Sequence, residues 1–230
     1  MQDPEASRIV RLEQNVLAKN DLMAERNRGW LEAREILALN LMSSPGAGKT
    51  TLLERMLADF AGEVRLSVIE GDQETARDAE RIRRADARAI QINTGSGCHL
   101  DAQMVHEALR KLTPSARSLL IIENVGNLVC PALLDLGESE KVVIMSVTEG
   151  EDKPLKYPHM FRAAGVMLIS KIDLLPHVEF DVERCSRFAR EVNSALEIVR
   201  VSARTGDGLD GWSQWLRARI AAVGAKSSAV

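Results

Sequence analysis

Ser43-Ser44-Pro45-Gly46-Ala47-Gly48-Lys49-Thr50-Thr51 is entered from the apolar run Ile36-Leu37-Ala38-Leu39-Asn40-Leu41-Met42 and left through Leu52-Leu53-Glu54-Arg55-Met56-Leu57. The stretch reads as strand, phosphate loop and helix. Glycines let successive backbone N–H groups turn inward, and the following helix adds the positive end of its dipole, so the loop suits a polyphosphate. In that arrangement Gly46, Ala47, Gly48, Lys49, Thr50 and Thr51 surround the anion. Lys49 reaches its β- and γ-phosphates, and the Thr50 hydroxyl binds Mg²⁺. The pattern G-x-x-x-x-G-K-S/T is met except at its first glycine, where Ser43 stands. A plain Gly/Pro turn between two core elements would leave the Gly-Lys-Thr-Thr run unexplained.

The 230 residues suffice for one large domain with a sizeable core. A net charge of −3 gives no electrostatic argument for nucleic acid or an anionic membrane. No apolar run approaches the roughly 20 residues that cross a bilayer, and the polar N-terminus is unlike a signal peptide, so a cytoplasmic protein is expected. Three cysteines cannot build a disulfide framework and are core residues, ligands or nucleophiles. The expected organisation is a helical extension over residues 1–30, a single domain over 31–224 and a disordered tail over 225–230.

Apolar residues at near-helical spacing predict an amphipathic helix from about Ser7 to Arg28, ended by Gly29, whose role is packing on the domain or on a partner chain. Strands are predicted at Val64–Ile69, Ala89–Ile92, Ser118–Ile122, Val142–Val147, Val166–Ile169 and Ile198–Val201. Helices are predicted at about Glu74–Arg84, Leu100–Leu112, Phe180–Ala195 and Leu209–Val223. Strands separated by helices pair in parallel through crossovers, which gives an α/β fold with a mostly parallel central sheet flanked by helices.

In such sheets ligands bind beyond the carboxyl ends of the strands. Asp72 and Glu123 each stand at such an end, where a carboxylate holds Mg²⁺ through water or orients an attacking water, or is simply a loop acid or helix cap. Ser170-Lys171-Ile172-Asp173 also follows a strand. A carboxylate there accepts from the N1–H and exocyclic amine of guanine while the Lys171 stem lies over the base; adenine offers no such donor pair. The motif resembles the Asn-Lys-x-Asp signature of GTPases, with Ser170 in place of asparagine. Ser202-Ala203 after the next strand matches the place where GTPases offer a backbone N–H to the guanine carbonyl. Guanine is therefore favoured over adenine.

Cys98-His99 lies in a Gly-rich loop, and Cys130 follows the Glu123 strand end. Thiolate and imidazole are ligands for Zn²⁺ or Ni²⁺, and three of them leave an exchangeable position or one shared across a two-fold axis. Buried inert cysteines are the other reading. Cys185, in an amphipathic helix, is expected in the core.

Taken together, the phosphate loop, Glu70-Gly71-Asp72, Cys98-His99-Leu100, the run Glu123 to Pro131, the run Glu149 to Pro158 and Ser170-Lys171-Ile172-Asp173 resemble HypB, the nickel-insertion GTPases of nickel–iron hydrogenase maturation. The resemblance spans nearly the whole chain from the phosphate loop to Ala203. It implies a SIMIBI-type G domain of the phosphate-loop NTPases, GTP hydrolysis to GDP with Mg²⁺, nucleotide-linked homodimerisation, and a Ni²⁺/Zn²⁺ site from Cys98, His99 and Cys130 near the dimer interface. It also implies a HypA-like nickel protein and the hydrogenase large subunit as partners. Lys153 is read either as a surface-loop lysine or as a group reaching nucleotide phosphates in its own or the other subunit. No cysteine precedes Cys98, and the histidines are only His99, His106, His159 and His177. The metal site of the G domain is therefore expected to stand alone, without the nickel-binding N-terminal extensions of some relatives. No glutamine or arginine finger is assignable, so turnover is expected to be slow. The alternatives are a urease-accessory-type nickel GTPase, a phosphate-loop small-molecule kinase and a non-catalytic zinc-binding domain.

Overall fold

A computed structural model describes residues 4–72, 88–95, 97 and 99–227. Among them are seven strands: β1 (Leu37–Ser43), β2 (Leu66–Asp72), β3 (Arg88–Asn93), β4 (Leu119–Glu123), β5 (Glu140–Ser146), β6 (Val166–Ser170) and β7 (Glu197–Arg200). They form one sheet in the order β3-β2-β4-β1-β5-β6-β7, parallel at every pairing. The helices are α1 (Pro4–Glu32), α2 (Lys49–Asp59), α3 (Ala102–Leu112), α4 (Cys130–Leu133), α5 (Lys153–Lys156), α6 (Pro158–Ala163), α7 (Val182–Val192) and α8 (Leu209–Ser227). A 3₁₀ turn spans Ile172–His177. The helix predicted over Glu74–Arg84 lies outside the described residues.

Alternation along the central strand divides the core. Leu37, Leu39 and Leu41 face α2 and α8, joining Leu53, Met56, Phe60, Trp212 and Leu216. Ala38 points to the opposite face, where α1 and α3 supply Leu31, Val105 and Leu109, and Met42 meets Phe161 of α6 and Cys185 of α7. Both faces are covered, so β1, β4 and β6 are buried along their whole length, as parallel sheets require.

Gly29 does not end α1, which continues to Glu32 and buries Leu31. The stop is a Schellman motif. Ile36 N donates to Leu31 O and Glu35 N to Glu32 O, with Glu35 in the left-handed region at φ 54°. Leu31 and Ile36, the hydrophobic pair of the motif, both sit in the core, and Glu35 accepts from Arg117 Nε at 2.6 Å. The closing helix α8 runs to Ser227, past the predicted Val223. Lys153 opens the short helix α5 instead of lying in an open loop.

Candidate functional site

The carboxyl ends of β1, β2, β4, β5 and β6 share one rim, and the candidate residues of the phosphate and base sites lie along it. Ser43, the first departure from the phosphate-loop pattern, is the last residue of β1. The left-handed turns fall at Gly46 (φ 74°) and Gly48 (φ 98°), so glycine is needed there and not at Ser43. The Ser43 hydroxyl donates to Ser44 O at 2.6 Å and accepts from Lys49 Nζ at 2.8 Å, which lays the lysine back along the loop. Lys49 and Thr50 open α2, whose N-terminus turns its first N–H groups toward the loop. Gly126 closes the loop from behind: a Cβ there would stand 3.1 Å from Pro45 Cα and N.

Thr50 Oγ1 donates to Glu123 Oε1 at 2.9 Å, joining the hydroxyl and the buried carboxylate that were read as Mg²⁺ chemistry. These two oxygens and the loop N–H groups fit a magnesium nucleotide. Asp72 is the last residue of β2 and pairs in register with Asn93 of β3. It lies on the same rim, and its carboxylate is outside the described side chains.

A cavity of about 220 Å³ adjoins the loop on the β6 side, lined among others by Ala47, Thr51, Lys171, Asp173, Leu174 and Ala203. Lys171 sits at φ 59° at the start of the 3₁₀ turn, and its Nζ donates to Gly46 O at 2.7 Å. The stem crosses the loop so closely that a Cβ on Gly48 would touch Lys171 Cε at 3.7 Å. Ser170, which replaces asparagine in the guanine signature, donates from Oγ to Ala47 O at 2.7 Å and so ties β6 to the phosphate loop. Ser202 contributes more than backbone. Its hydroxyl donates to Asp173 Oδ1 at 2.7 Å and accepts from Thr205 N at 3.1 Å, which fixes the carboxylate that would read the base. Arg204 also lines this cavity and went unnoticed in the sequence, where nothing but its place after Ser202-Ala203 marks it.

Lys153 faces the phosphate loop of its own chain. Its ammonium donates to Ser44 Oγ at 2.9 Å and to Glu149 Oε2 at 2.6 Å, and Ser44 Oγ donates to the same carboxylate oxygen at 2.5 Å. Glu149 Oε1 accepts from Ser146 N at 2.9 Å, so the carboxylate is fixed to the end of β5. This places Lys153 beside the phosphate region, where a polyphosphate oxygen can compete for it.

Of the three candidate metal ligands, Cys98 lies outside the described residues. His99 is half-buried in the segment leading to α3, and Cys130, also half-buried, is the first residue of α4. Asn127 Nδ2 donates to Cys130 Sγ at 3.7 Å. Among the described residues no three His, Cys, Asp or Glu side chains converge to hold a metal. Cys185 is in the core as expected: it is fully buried, with its Sγ 3.7 Å from Met145 Sδ.

Fold and site define a phosphate-loop nucleotide-binding protein, and the family profile of the CobW/HypB/UreG nucleotide-binding domain matches residues 37–200. HypB of Azotobacter vinelandii, a hydrogenase maturation factor, is 56% identical over 225 residues, covering 94% of this chain and 74% of that protein. HypB of Escherichia coli K12 is 57% identical over 209 residues, covering 91% and 72%. The crystal structure of HypB from Archaeoglobus fulgidus superposes with a TM-score of 0.83 at 41% identity, over 89% of this chain and all 100% of that one. HypB from Helicobacter pylori in complex with nickel gives 0.81 at 39%, over 88% and 95%. The chain belongs to the HypB family of hydrogenase maturation factors. The signal recognition particle 54 kDa protein of Aeropyrum pernix, at 13% identity and a TM-score of 0.52, shares the fold. No described helix is long and apolar enough to cross a membrane.

Proposed function

We propose that this protein is a GTP-hydrolysing metallochaperone that acts in the cytoplasm and helps to insert nickel into a hydrogenase large subunit. The observation that carries the nucleotide reading is the anchored Asp173: Ser202 fixes its carboxylate in a cavity whose other wall, Ala47 and Gly48, belongs to the phosphate loop. Such a fixed acceptor pairs with the two adjacent donors of guanine and with no edge of adenine. Lys49 neutralises the β- and γ-phosphates, and Lys153 is placed to add a second cation after leaving Ser44 and Glu149. Thr50, with Asp72 through water, would hold Mg²⁺, which would supply charge neutralisation of the phosphates. Glu123 then exchanges the Thr50 hydroxyl for a water, which it orients. No arginine or glutamine finger is assigned to this set, and turnover is proposed to be slow.

Cys98, His99 and Cys130 are the proposed Ni²⁺ ligands, with Zn²⁺ as the competing ion, and the neighbouring copy of a homodimer is proposed to share the site. The crystal structure of the H. pylori relative in complex with nickel supports nickel as cargo. A HypA-like nickel protein is the proposed donor. Since Glu123 bonds Thr50 and the adjacent Asn124 bonds the backbone of Leu100, next to His99, GTP and GDP are proposed to set different metal affinities and different dimer contacts.

The test is phosphate release from GTP and from ATP, followed by Ni²⁺ competition against a chelator in the GDP and non-hydrolysable-GTP states with light scattering on each sample. GTP-selective release abolished by Lys49→Ala, with nickel affinity and dimer fraction changing together, supports the proposal. Release from ATP at the same rate, or identical metal affinity in both states, overturns the corresponding half.

A further inference from the structure

Buried amides are costly unless paired, so a helix that buries two asparagines on one stripe has committed them to specific partners. Asn20 and Asn27 stand two turns apart on α1, 9% and 0% exposed. Both span the same gap. Asn20 Oδ1 accepts from Ala102 N at 3.0 Å while its Nδ2 donates to Asp135 O at 2.8 Å. Asn27 Nδ2 donates to Ala102 O at 2.8 Å and to Leu136 O at 3.0 Å. The N–H and C=O of a single residue, Ala102, are thus each taken by one asparagine, and the other arm of each reaches the 135–136 loop.

The two bridged segments carry candidate metal ligands. Ala102 opens α3 three residues after His99, and Asp135 follows α4, which begins with Cys130. The contact is tight. A Cβ on Gly137 would stand 2.5 Å from Ala24 O and 2.7 Å from Asn27 Cβ, and Arg28 adds a 2.9 Å bond from Nη1 to Glu138 O and an ion pair with Asp135. A second bridge closes the ring from the sheet side. Asn124 Oδ1 accepts from Leu100 N at 3.1 Å and its Nδ2 donates to Asn40 Oδ1 at 3.3 Å. Asn40 Nδ2 donates to Glu138 Oε1 at 3.1 Å, and Glu138 Oε2 accepts from Leu136 N at 2.7 Å.

We propose that Asn20 and Asn27 are positioning residues for metal binding: bonding Ala102 and the 135–136 loop at once, they make α1 the clamp that sets the spacing between the segment bearing His99 and the segment bearing Cys130. The proposal rests on the reading of His99 and Cys130 as metal ligands. Neither asparagine touches the nucleotide site, so the clamp acts on the metal through backbone segments that begin a few residues from each ligand. Groups that orient ligands from outside the coordination shell typically govern metal affinity by about ten- to a hundredfold.

The decisive variant is Asn20→Asp, which is isosteric, keeps the acceptor for Ala102 N and turns the donor to Asp135 O into a carboxylate oxygen facing that carbonyl. Asn27→Ala, which releases Ala102 O, Leu136 O and the His106 ring nitrogen bonded to Asn27 Oδ1, accompanies it. Ni²⁺ affinity of the full chain is measured by chelator competition, together with the thiolate-to-nickel charge-transfer absorption, GDP affinity and a thermal melt. The expected result is nickel binding weaker by about tenfold or more with an altered charge-transfer band, and GDP affinity within about twofold of wild type. Should Asn27→Ala fail to fold, Asn20→Asp carries the test alone. His99→Ala and Cys130→Ser run in parallel. If these lose nickel while Asn20→Asp binds it with wild-type affinity and spectrum, the clamp is wrong; if these two retain wild-type nickel affinity, the ligand reading beneath it is wrong.

Discussion

Replacing Asp173 by asparagine probes base recognition at a single atom. The one proton of the Ser202 hydroxyl is committed to Asp173 Oδ1, because the same oxygen already accepts from Thr205 N. Oδ2 is therefore the oxygen left for the cavity. In Asp173→Asn the amide oxygen keeps the Ser202 proton, and the amide nitrogen takes the inward position. It then faces the N1–H and exocyclic amine of guanine, donor against donor. Two hydrogen bonds to a charged acceptor, each about 1.5–3 kcal/mol, are lost. Their sum of about 3–6 kcal/mol corresponds to roughly 10²- to 10⁴-fold in affinity. Xanthine carries a carbonyl where guanine has its amine, so xanthosine diphosphate should bind the variant better than it binds the wild type. Calorimetric titration of both nucleotides into both proteins measures this. Unchanged GDP affinity in the variant, with no gain for the xanthine nucleotide, would refute the assignment of Asp173 to the base.

Gly137→Ala should destabilise the fold by about 2 kcal/mol or more, since the residue holds φ 89° and the added carbon meets Ala24 O; denaturant melts would show it, and a neutral outcome would contradict the packing of α1 on this loop. Burial, then Arg26 and Arg110, hold the His106 imidazole below its ordinary value against a weaker pull from Glu107. The unfolded chain thus takes up this proton first, so the contribution to stability is complete above the ordinary value of about 6.5 and is lost as pH falls through the lower folded one. Melting temperature should accordingly fall more between about pH 7.5 and about pH 5.5 in the wild type than in His106→Gln, and parallel curves would remove His106 from the account. Burial, reinforced by Glu151, Glu149 and Asp181, pushes the Cys185 thiol up to about 12. Alkylation at neutral pH, followed by mass spectrometry, should therefore mark Cys185 only after denaturation, and labelling of the native protein at the unfolded rate would count against a core position.

The parts of the molecule that use short-range rules were legible from residues alone. An apolar run before Gly46 and Gly48 and a helix after Lys49 specify the strand, loop and helix because each follows from local periodicity and turn chemistry. Asp101, which caps α3 by accepting from Met104 N at 2.7 Å, obeys the same kind of short-range rule. What escaped was the long-range pairing of polar groups. Ser202 was read for its backbone, whereas its hydroxyl anchors Asp173, a partner in another loop. Lys153 was left between a surface lysine and a phosphate ligand because Glu149 and Ser44 meet it only in the fold. Gly29 suggested a stop that α1 does not make, since helix ends are settled by where the apolar stripe runs out, and Leu31 and Ile36 still had to be buried. Asn20, Asn27 and Asn40 carried a faint signal, polar residues set among apolar positions, but their partners were not deducible.

The strand order has a consequence for how this chain is made. β1 lies at the centre of the sheet, yet its first partner, β4, begins with Leu119 opposite Leu37. A ribosome adding about 5–20 residues per second needs some 4–16 s to supply the intervening roughly eighty residues. Throughout that interval this largely apolar strand lacks both of its native sheet neighbours. Asn40 interrupts it, and its amide finds Glu138 and Asn124 only when the sheet closes. Before then, the same residue keeps the nascent segment Leu37–Ser43 from being an unbroken hydrophobic strand available to other chains, so it guards against aggregation during synthesis as well as closing the buried ring afterwards.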